Sequence, residues 1–301
     1  MSDPHGSASV ADEERVTQAQ ASFQGVPEAF ESTLDRAEFR RPSHLEGVEL
    51  YRAHIVRHAF DAHTHQAFGI GAIESGVERF RYAGSDYLAP PDSIVLMNPD
   101  VLHTGQAETE HGWRYRMVYI DPALAEQISG ESGWWFDEAV RSHAPHARKL
   151  TLLLDAMWRA PDSLAFDSAL FSLLELGRMH ARGASVATEA SQRFEPVLDY
   201  MRSMMAERLT LADLAAVAGL SPFHFLRSFQ KQYHVTPQQM LMAIRLYEAK
   251  QMLAAGRAPA QVAAAAGMSD QAHLTRAFVR CYGVPPARYQ QQIRHRSAPG
   301  H

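Results

Sequence analysis

The sequence predicts an α+β protein of more than one domain, with a β-barrel, a helical extension and an all-α C-terminal domain. Three observations predict this class. Apolar residues alternate with polar ones in short stretches between residues 46 and 121, which is the periodicity of strands. Helical spacing returns after residue 121. From Thr210 to Tyr289 the same two-helix pattern occurs twice, which indicates one supersecondary unit used twice.

Composition separates the chain into two parts with different partners. The chain has 301 residues, 46% of them apolar, which is enough for two domains with their own cores. Residues 195–301 hold 12 Lys and Arg against 6 Asp and Glu, whereas residues 1–194 hold 17 against 28. The basic excess therefore coincides with the repeat, and it suggests that only this part meets phosphates. A merely solvated surface would explain the excess but not the coincidence.

The sequence favours a cytoplasmic protein. Cys281 is the single cysteine, so an internal disulfide is impossible and a reducing compartment is favoured. The N-terminus, with Asp3, Asp12, Glu13 and Glu14, lacks the basic and apolar regions of a signal peptide. No apolar run approaches the roughly 18 residues of a membrane helix, and we expect no membrane partner.

Residues 1–45 are predicted to be an N-terminal arm, disordered to about Val16 and irregular after it, ahead of the barrel at 46–121. In the barrel, Phe80 and Tyr82 alternate with arginines. Short apolar stretches lie between turn signals, which is typical of a barrel or sandwich. The last strand alternates in the same way, with aromatic or apolar residues at Trp113, Tyr115, Met117 and Tyr119. The turn signals are Glu74-Ser75-Gly76, Ala83-Gly84-Ser85, Pro90-Pro91-Asp92 and Asn98-Pro99-Asp100.

Behind the barrel, residues 122–183 are predicted to form a helical extension, and residues 184–193 a small, polar linker. Two helices with broad apolar stripes are expected, the second capped by Asp162 or Ser163. Their apolar surface exceeds what a barrel edge requires, so either packing back on the barrel or a homodimer contact accounts for it. The residues concerned are Leu152, Leu153, Trp158, Phe166, Leu170, Phe171 and Leu174.

Each repeat of the C-terminal domain, 194–295, reads as two helices joined by a tight turn. Thr210 and Asp213 form a capping-box-like start. Ala215 precedes Gly219 by four residues, so a small residue allows a close crossing and a glycine makes the turn. The two units are expected at about 211–232 and 259–281, with Ser221-Pro222 starting the second helix of the first unit and Pro259 starting the second unit.

The second helix of each unit should present a basic outer face. Phe225 and Phe229 are four apart and should pack inward, as should Leu274 and Phe278. Arg227 and its equivalent Arg276 then point outward, a face that suits the major groove. A small helical bundle with incidental surface charge would explain one unit but hardly two. The candidate DNA contacts are Ser221, Phe223, His224, Arg227, Lys231, Gln271, His273, Arg276 and Arg280, of which Lys231 and Arg280 suit phosphates better than bases.

Residues 194–292 resemble the AraC/XylS family of transcription regulators. The segments that carry the resemblance are "LTLADLAAVAGLSPFHFLRSFQKQYHVTPQQML", "RLYEAKQMLAAG" and "VAAAAGMSDQAHLTRAFVRCYGVPPARY". The resemblance implies two helix-turn-helix subdomains joined by a linking helix at about Gln238 to Ala255, with both recognition helices in successive major grooves. Met268 and Ala272 stand where the family more often has Phe and Ser, which affects packing and one contact rather than the fold.

The barrel segments "HTHQAFGIGAIESG" and "APPDSIVLMNPDVLHTG" resemble the two cupin motifs of this family's effector domains. His63, His65 and His103 match the histidine positions, and the first two share one face of a strand. Gly69 and Ile70 stand where metal-binding cupins have a glutamate. Three readings stay open, namely a divalent metal site with an open fourth position, a polar effector pocket, and histidines of an ordinary core. We expect Tyr82, Trp113 and Tyr115 to line the same cavity unless they are simply aromatic core.

The sequence as a whole predicts a sequence-specific regulator of the AraC/XylS type that is not an enzyme. We expect it to be an activator that binds double-stranded promoter DNA as a homodimer, contacts RNA polymerase, and is controlled by a small-molecule effector in the barrel. No cofactor is predicted; if a metal binds, His63, His65 and His103 are its ligands. The alternatives are a metal-dependent cupin enzyme tethered to DNA, a regulator that responds to a protein partner, and an architectural protein without an effector. The effector, the operator and the sign of regulation are not encoded in any recognisable pattern.

Overall fold

The structure, a computed structural model, describes residues 32–182 and 194–294. The predicted linker at 184–193 and the arm up to residue 31 lie outside these residues. Ten strands form the N-terminal domain: β1 Arg36–Arg40, β2 Val48–Ile55, β3 Ala59–His63, β4 Phe68–Gly76, β5 Glu78–Tyr82, β6 Ser85–Ala89, β7 Ser93–Met97, β8 His103–Ala107, β9 Trp113–Ile120 and β10 Val140–Ser142.

These strands form two facing antiparallel sheets, as the alternating pattern predicts. The larger has six strands in the order β1-β2-β9-β4-β7-β10, and the smaller has four in the order β3-β8-β5-β6. Side chains of β9 alternate between the sheet faces: Tyr115 and Tyr119 belong to the barrel interior, and Val118 and Ile120 to the core on the outer face. The six-stranded sheet is thus covered on both sides.

Two local expectations about the barrel are wrong. The segment after Val16 was expected to be irregular up to residue 45, but Arg36–Arg40 pairs with β2 as an edge strand. Its five residues alternate exposed and buried ones with too few apolar positions to stand out. The turn expected at Glu74-Ser75-Gly76 is the bulged end of β4, where the register with β9 shifts between Ile73 and Ser75.

The turn expected at Ala83-Gly84-Ser85 is present, at Ala83 and Gly84. Tyr82 pairs with Ser85, so two residues connect β5 to β6. Both have positive φ, 48° at Ala83 and 83° at Gly84, which is the backbone of a type I′ hairpin.

The helices of the described residues fall into two groups. The bounds are α1 Pro122–Ser129, α2 Ala144–Arg159 and α3 Ser163–Arg178 in the extension, then α4 Glu195–Ser203, α5 Leu211–Val217, α6 Pro222–Tyr233, α7 Pro237–Ala254, α8 Pro259–Ala265, α9 Gln271–Tyr282 and α10 Pro286–Arg294. Within this part of the chain no helix is long and apolar enough to cross a bilayer.

The extension packs on the outer face of the six-stranded sheet. Asp162 caps α3 by accepting a hydrogen bond from Ala165 N–H, as predicted. Trp158, Phe166, Leu170 and Leu174 are buried in the core between these helices and the sheet. The apolar stripe therefore serves mainly to cover the barrel. Three large apolar side chains of α2 and α3 stay exposed, namely Leu152, Leu164 and Phe171.

The C-terminal domain has the predicted pair of helix-turn-helix units, α5–α6 and α8–α9, joined by α7. This domain is in contact with the barrel. The hydrophobic core of the second unit, including Phe278 and Tyr289, is continuous with the barrel interior around Phe39 and Tyr119. On α10, the Gln292 amide accepts a hydrogen bond from Phe39 N–H at 3.0 Å and donates one to Ala37 O at 3.1 Å. The unpredicted strand β1 is thus one edge on which the helical domain docks, and β3 is another.

Candidate DNA interface and ligand cavity

The first helix-turn-helix unit forms as its local sequence dictates. Thr210 and Asp213 make a reciprocal capping box at the start of α5. Gly219 takes the chain through the turn at φ 64°. Ser221 then caps α6 by accepting a hydrogen bond from His224 N–H at 3.4 Å. Phe225 and Phe229 occupy the inward positions of α6, and both are fully buried.

The second unit repeats this arrangement with one difference in its cap. Pro259 is the first residue of α8, as predicted. Gly267 has φ 66°, and a Cβ there would lie 2.5 Å from Met205 O, so no other residue fits the turn without a shift. Asp270, rather than a serine, caps α9 by accepting a hydrogen bond from His273 N–H at 2.6 Å. The extra residue in the repeat lies at this cap.

The predicted outer faces of α6 and α9 are exposed to solvent at the arginine positions. Arg227 and Arg276 are both exposed. The Arg227 guanidinium lies 5.6 Å from the ring centroid of Phe223, which is itself 69% exposed. Exposed positions among the other candidates are Ser221, His224, Lys231, Gln271 and Arg280.

Two candidate residues of α9 already have partners within the protein. The His273 Nδ1 atom lies 3.1 Å from Ser269 Oγ, and His273 is only partly exposed. The Arg280 guanidinium forms an ion pair with Asp61 of β3, with 3.0 Å between Nε and Oδ2. Both partners are more than half exposed, so this bridge is worth about 0–1 kcal/mol. The second recognition helix is therefore tethered to the barrel, whereas α6 carries no ion pair of this kind among the described residues.

A cavity lies inside the barrel, beneath α9. Its volume is about 30 Å³, which is room for roughly two or three water molecules. His63, His65 and His103 lie together in its wall, as predicted, and Tyr115 lines it too. Its other walls come from both domains: Phe39, Tyr51, Phe60, Glu78, Val95, Met97, Thr104, Gly105, Met117 and Tyr119 of the barrel, and Cys281 and Tyr282 of α9.

The strand geometry that brings the histidines together differs in one detail from the prediction. His63 ends β3 and is paired in register with His103 at the start of β8. His65 lies beyond the end of β3, so the alternation of a strand does not place it. Its ring instead stacks on Tyr119, with 4.0 Å between ring centroids.

The three imidazoles are neutral at physiological pH. Burial lowers the pKa of His63 and of His65 well below the ordinary histidine value, and the neighbouring imidazoles lower it further. Burial lowers the pKa of His103 to about 4. The His63 Nδ1 atom lies 2.7 Å from Asp61 O, and His103 Nδ1 lies 3.2 Å from Val101 O. A neutral ring can only donate to a carbonyl, so Nδ1 carries the proton and Nε2 keeps its lone pair.

Tyr82 and Trp113, two of the aromatic candidates, do not line this cavity. Both are buried in the barrel interior. The Tyr82 hydroxyl accepts hydrogen bonds from the backbone N–H and the side-chain amide of Asn98, at 2.9 and 3.1 Å. Trp113 stacks on Tyr115 with 5.5 Å between ring centroids. The alternation of residues along β5 and β9 predicts that both side chains point into the barrel. It does not predict how far along the barrel the cavity extends.

Two buried glutamates, Glu49 and Glu78, face the barrel interior, and neither is among the site residues predicted from the sequence. Glu78 lines the cavity, and burial raises the pKa of its carboxyl to about 8. Glu49 is buried where the domains meet, and it accepts hydrogen bonds from Tyr289 Oη and Arg41 Nε at 2.7 and 2.8 Å. It also forms a buried ion pair with Lys250 of α7.

The charge state of this junction follows from its partners. Burial alone would raise the pKa of Glu49, but Lys250 and Arg41 outweigh it and lower that pKa to about 2. The signal in the sequence was the alternation itself: Glu49 precedes Tyr51 by two residues and Glu78 precedes Phe80 by two, so each occupies an inward position.

Comparison with known proteins agrees with this architecture. Residues 46–174 match a family model described as an AraC-like ligand binding domain, and residues 214–292 match one described as a helix-turn-helix domain. The HTH-type transcriptional regulator YbfI of Bacillus subtilis strain 168 is 29% identical over 235 residues, covering 75% of this chain and 86% of that protein. The arabinose operon regulatory protein of Escherichia coli K12 is 26% identical over 222 residues, covering 69% and 74%.

A solved structure of ToxT from Vibrio cholerae shares the fold over most of both chains. The TM-score is 0.53 at 11% identity, and the match covers 85% of this chain and 99% of ToxT. This likeness shows the shared fold, and the two family models together with the relatives show the family. The chain belongs to the AraC/XylS family of transcription regulators, with a ligand-binding β-domain ahead of a DNA-binding domain of two helix-turn-helix units.

Proposed function

We propose that this regulator binds specific promoter sequences and that a small-molecule effector in the barrel cavity controls that binding. The observation that carries the proposal is the composition of the cavity wall, in which Cys281 and Tyr282 of α9 close a space otherwise lined by the barrel. An occupant of the cavity must therefore contact the second recognition helix or displace it. A ligand can shift an equilibrium only by its differential affinity for the two states, and this arrangement supplies such a difference.

On the DNA side, α6 and α9 are proposed to lie in successive major grooves. Arg227 and Arg276 are the proposed base-reading residues, since a guanidinium can bond guanine bidentately. Phe223, beside Arg227, would meet a thymine methyl. Lys231 and Arg280 are proposed to contact phosphates, and the remaining contacts are proposed at Ser221, His224, Gln271 and His273. Arg280 would first have to leave Asp61, at a cost of about 0–1 kcal/mol.

Four of the six candidate effector contacts line the cavity and are retained in the proposal, namely His63, His65, His103 and Tyr115. Tyr82 and Trp113 are proposed to act only through packing, since they lie outside the cavity wall. One ToxT structure contains a bound unsaturated fatty acid, but the present cavity, at about 30 Å³, has no room for a molecule of that size. A larger effector therefore requires α9 to move away from the barrel.

Three further features belong to the proposal. The chain is proposed to act as a homodimer in the cytoplasm, with the exposed apolar side chains of α2 and α3 at the contact. It is also proposed to be an activator that contacts RNA polymerase. The names of its relatives support regulation of operons, as with the arabinose operon regulatory protein. No enzymatic role is proposed.

Selection of bound duplexes from random DNA with the full-length protein tests the function. We expect a recurrent sequence whose affinity falls steeply as salt rises, since phosphate contacts release counterions. A metabolite and metal screen by thermal shift should then identify an occupant that changes the affinity for that sequence. Enrichment of no sequence would contradict sequence-specific binding. An occupant that stabilises the protein without any change in DNA affinity would contradict effector control.

A further inference from the structure

The histidine cluster in the cavity has the geometry of a metal-ion site. His63, His65 and His103 each offer one ring nitrogen, and these nitrogens lie within 4.8 Å of one another. A tetrahedral ion bound at about 2.0–2.1 Å from each nitrogen would hold them about 3.3 Å apart. Binding of an ion would therefore draw the three ring nitrogens closer together.

The hydrogen bonds of the rings orient them for such a role. The carbonyls of Asp61 and Val101 bind the Nδ1 atoms of His63 and His103, which leaves each Nε2 as the free donor of a lone pair. Ligating histidines in metalloproteins typically have their other ring nitrogen fixed in this way. Two of the three rings are thus held in the tautomer that binds metal through Nε2.

The third ring has an unsatisfied atom. His65 Nε2 is fully buried and has no hydrogen-bond partner among the described residues. Leaving a polar atom buried without a partner costs on the order of 1–3 kcal/mol. A ligand that accepts the lone pair of this nitrogen would remove that cost, and a cation in the cluster does so.

The size of the cavity limits the occupant. At about 30 Å³, it is far smaller than the roughly 300–1,000 Å³ of pockets for organic ligands. An ion with one or two water molecules fits it without any movement of the domains. The wall therefore suits an ion better than an organic metabolite in this conformation.

We propose that His63, His65 and His103 bind one divalent ion of the zinc class, with a fourth coordination position open to the cavity. Three imidazoles without a carboxylate favour Zn²⁺, Co²⁺, Ni²⁺ or Cu²⁺ over Mg²⁺ and Ca²⁺, which prefer oxygen ligands. Gly69 and Ile70 offer no fourth protein ligand where related folds place a glutamate.

The fixed charges around the cluster allow a dication. Lys250 of α7 and Arg41, which follows β1, are both paired with the buried Glu49 where the two domains meet. Glu78 supplies a buried carboxyl in the wall of the same cavity. The positive groups are thus already neutralised in part, and a carboxyl is available to balance the ion.

The ion would sit directly below the second recognition helix. The ring centroid of Tyr282 lies 5.8 Å from that of His63 and 6.3 Å from that of His65. Tyr282 is the last residue of α9. Resting on the function proposed above, this places the metal where its occupancy and the position of α9 on DNA are coupled.

Metal titration of the full-length protein tests the site. After treatment with a chelator, Zn²⁺ should bind at one ion per chain in competition with a chromogenic chelator, and Co²⁺ should give visible bands of a four-coordinate site. His65→Gln and His103→Gln should lower the affinity at least about 100-fold, since even outer-shell changes cost 10–100-fold. His146→Gln should bind like the wild type, because it removes a histidine of a separate cluster with His143 and His180. Equal weak binding by all four proteins would overturn the proposal.

X-ray absorption of the zinc-loaded wild type gives a second readout that needs no variant. The proposal requires three imidazole ligands, and a shell of oxygen or sulfur ligands would overturn it. Coupling is tested with the selected DNA sequence, for which Zn²⁺ must change the affinity, and DNA must change the Zn²⁺ affinity by the same factor. Zinc binding without such a change would overturn the coupling. Failure to select any DNA sequence would overturn the proposed function and leave the titration result standing.

Discussion

Glu49 is the residue on which the contact between the two domains depends. It is buried, and Arg41, Lys250 and Tyr289 together satisfy its carboxylate. The ammonium of Lys250 also lies 4.6 Å from the ring centroid of Phe39 and 4.8 Å from that of Tyr282. Removing one member of a buried ion pair leaves the other charge uncompensated, which is far more destabilising than the loss of an exposed pair.

Glu49→Gln should therefore lower the free energy of unfolding by about 3–5 kcal/mol, because it leaves Lys250 buried without a counter-charge. Urea denaturation of the wild type and the variant measures this. Glu38→Gln is the matched control on the adjacent strand, since Glu38 pairs with Arg52 at the surface and should lose no more than about 1 kcal/mol. Adding Lys250→Met to Glu49→Gln should recover most of the loss, and equal losses for Glu38→Gln and Glu49→Gln would contradict the argument.

Glu78 should make the protein less stable as pH rises. Burial raises the pKa of its carboxyl from 4.5 to about 8, so the unfolded chain releases this proton at lower pH than the folded one. Its contribution is most favourable below pH 4.5 and is lost progressively between about 4.5 and 8. Glu78→Gln should remove this slope and raise stability near pH 8 by on the order of 2–4 kcal/mol.

Denaturation midpoints between pH 5 and 8, with no metal added, measure this effect. Glu110→Gln is the control, because Glu110 is almost fully exposed and its loss should leave the pH dependence unchanged. The buried neutral histidines add a slope of opposite sign below about pH 6.5, so the test is the difference between the two profiles. A Glu78→Gln profile parallel to that of the wild type would show that Glu78 is ionised in the folded protein.

At the scale of elements, α3 combines a core-facing stripe with an unpartnered apolar face. Phe166 and Leu170 pack on the barrel. Leu164 and Phe171, seven residues apart and therefore on one face, are 76% and 52% exposed. Two large apolar side chains together on one exposed helix face favour a contact with another chain over a solvated surface.

Leu164→Asp combined with Phe171→Asp should convert the proposed homodimer into a monomer, since the contact would then bury four carboxylates, two from each chain. Light scattering after size-exclusion chromatography gives the mass directly. Leu88→Asp on β6, which replaces a side chain that is 49% exposed, should leave the mass unchanged. A monomeric wild type, or a double variant that stays dimeric, would exclude this face as the dimer contact.

The helical domain was the part most fully predictable from the sequence, and for a physical reason. Caps, turn glycines and inward pairs such as Phe225 and Phe229 are local signals, and the repeat supplied each of them twice. Strand β1 was missed because an edge strand of five residues has little local pattern. The junction of Glu49 with Lys250 could not be predicted, because 201 residues separate them and no local periodicity relates one to the other.

The candidate site was predictable to a similar extent. The histidine motifs predicted that His63, His65 and His103 share one cavity. The alternation of aromatic and polar residues in β9 predicted that Tyr115 lines it. The direction of Tyr82 and Trp113 was predictable, but the extent of the cavity depends on how α9 packs over the barrel. That packing is a tertiary contact between domains, which no stretch of either domain encodes alone.

For the whole molecule, the two domains form one connected structure rather than two independent ones. One hydrophobic core runs from the barrel interior into the second helix-turn-helix unit. The Arg280–Asp61 bridge tethers α9 to the barrel at the surface. The first unit, with Arg227, lacks that bridge, but it also packs on the barrel, since Leu102 belongs to the same hydrophobic core as Phe225 and Phe229. Both helix-turn-helix units are therefore in contact with the barrel.

The most direct test of the central claim is a footprint of full-length protein on its selected DNA, with Arg227→Ala and Arg276→Ala compared with the wild type. Each bound chain of the wild type should protect two adjacent major-groove segments, about 10 base pairs apart, so the proposed homodimer should protect two such pairs. Each variant should lose base preference in one segment of each pair only, at a cost of about 1–3 kcal/mol. If both variants retained the wild-type footprint and base preference, α6 and α9 would not be the helices that read the duplex.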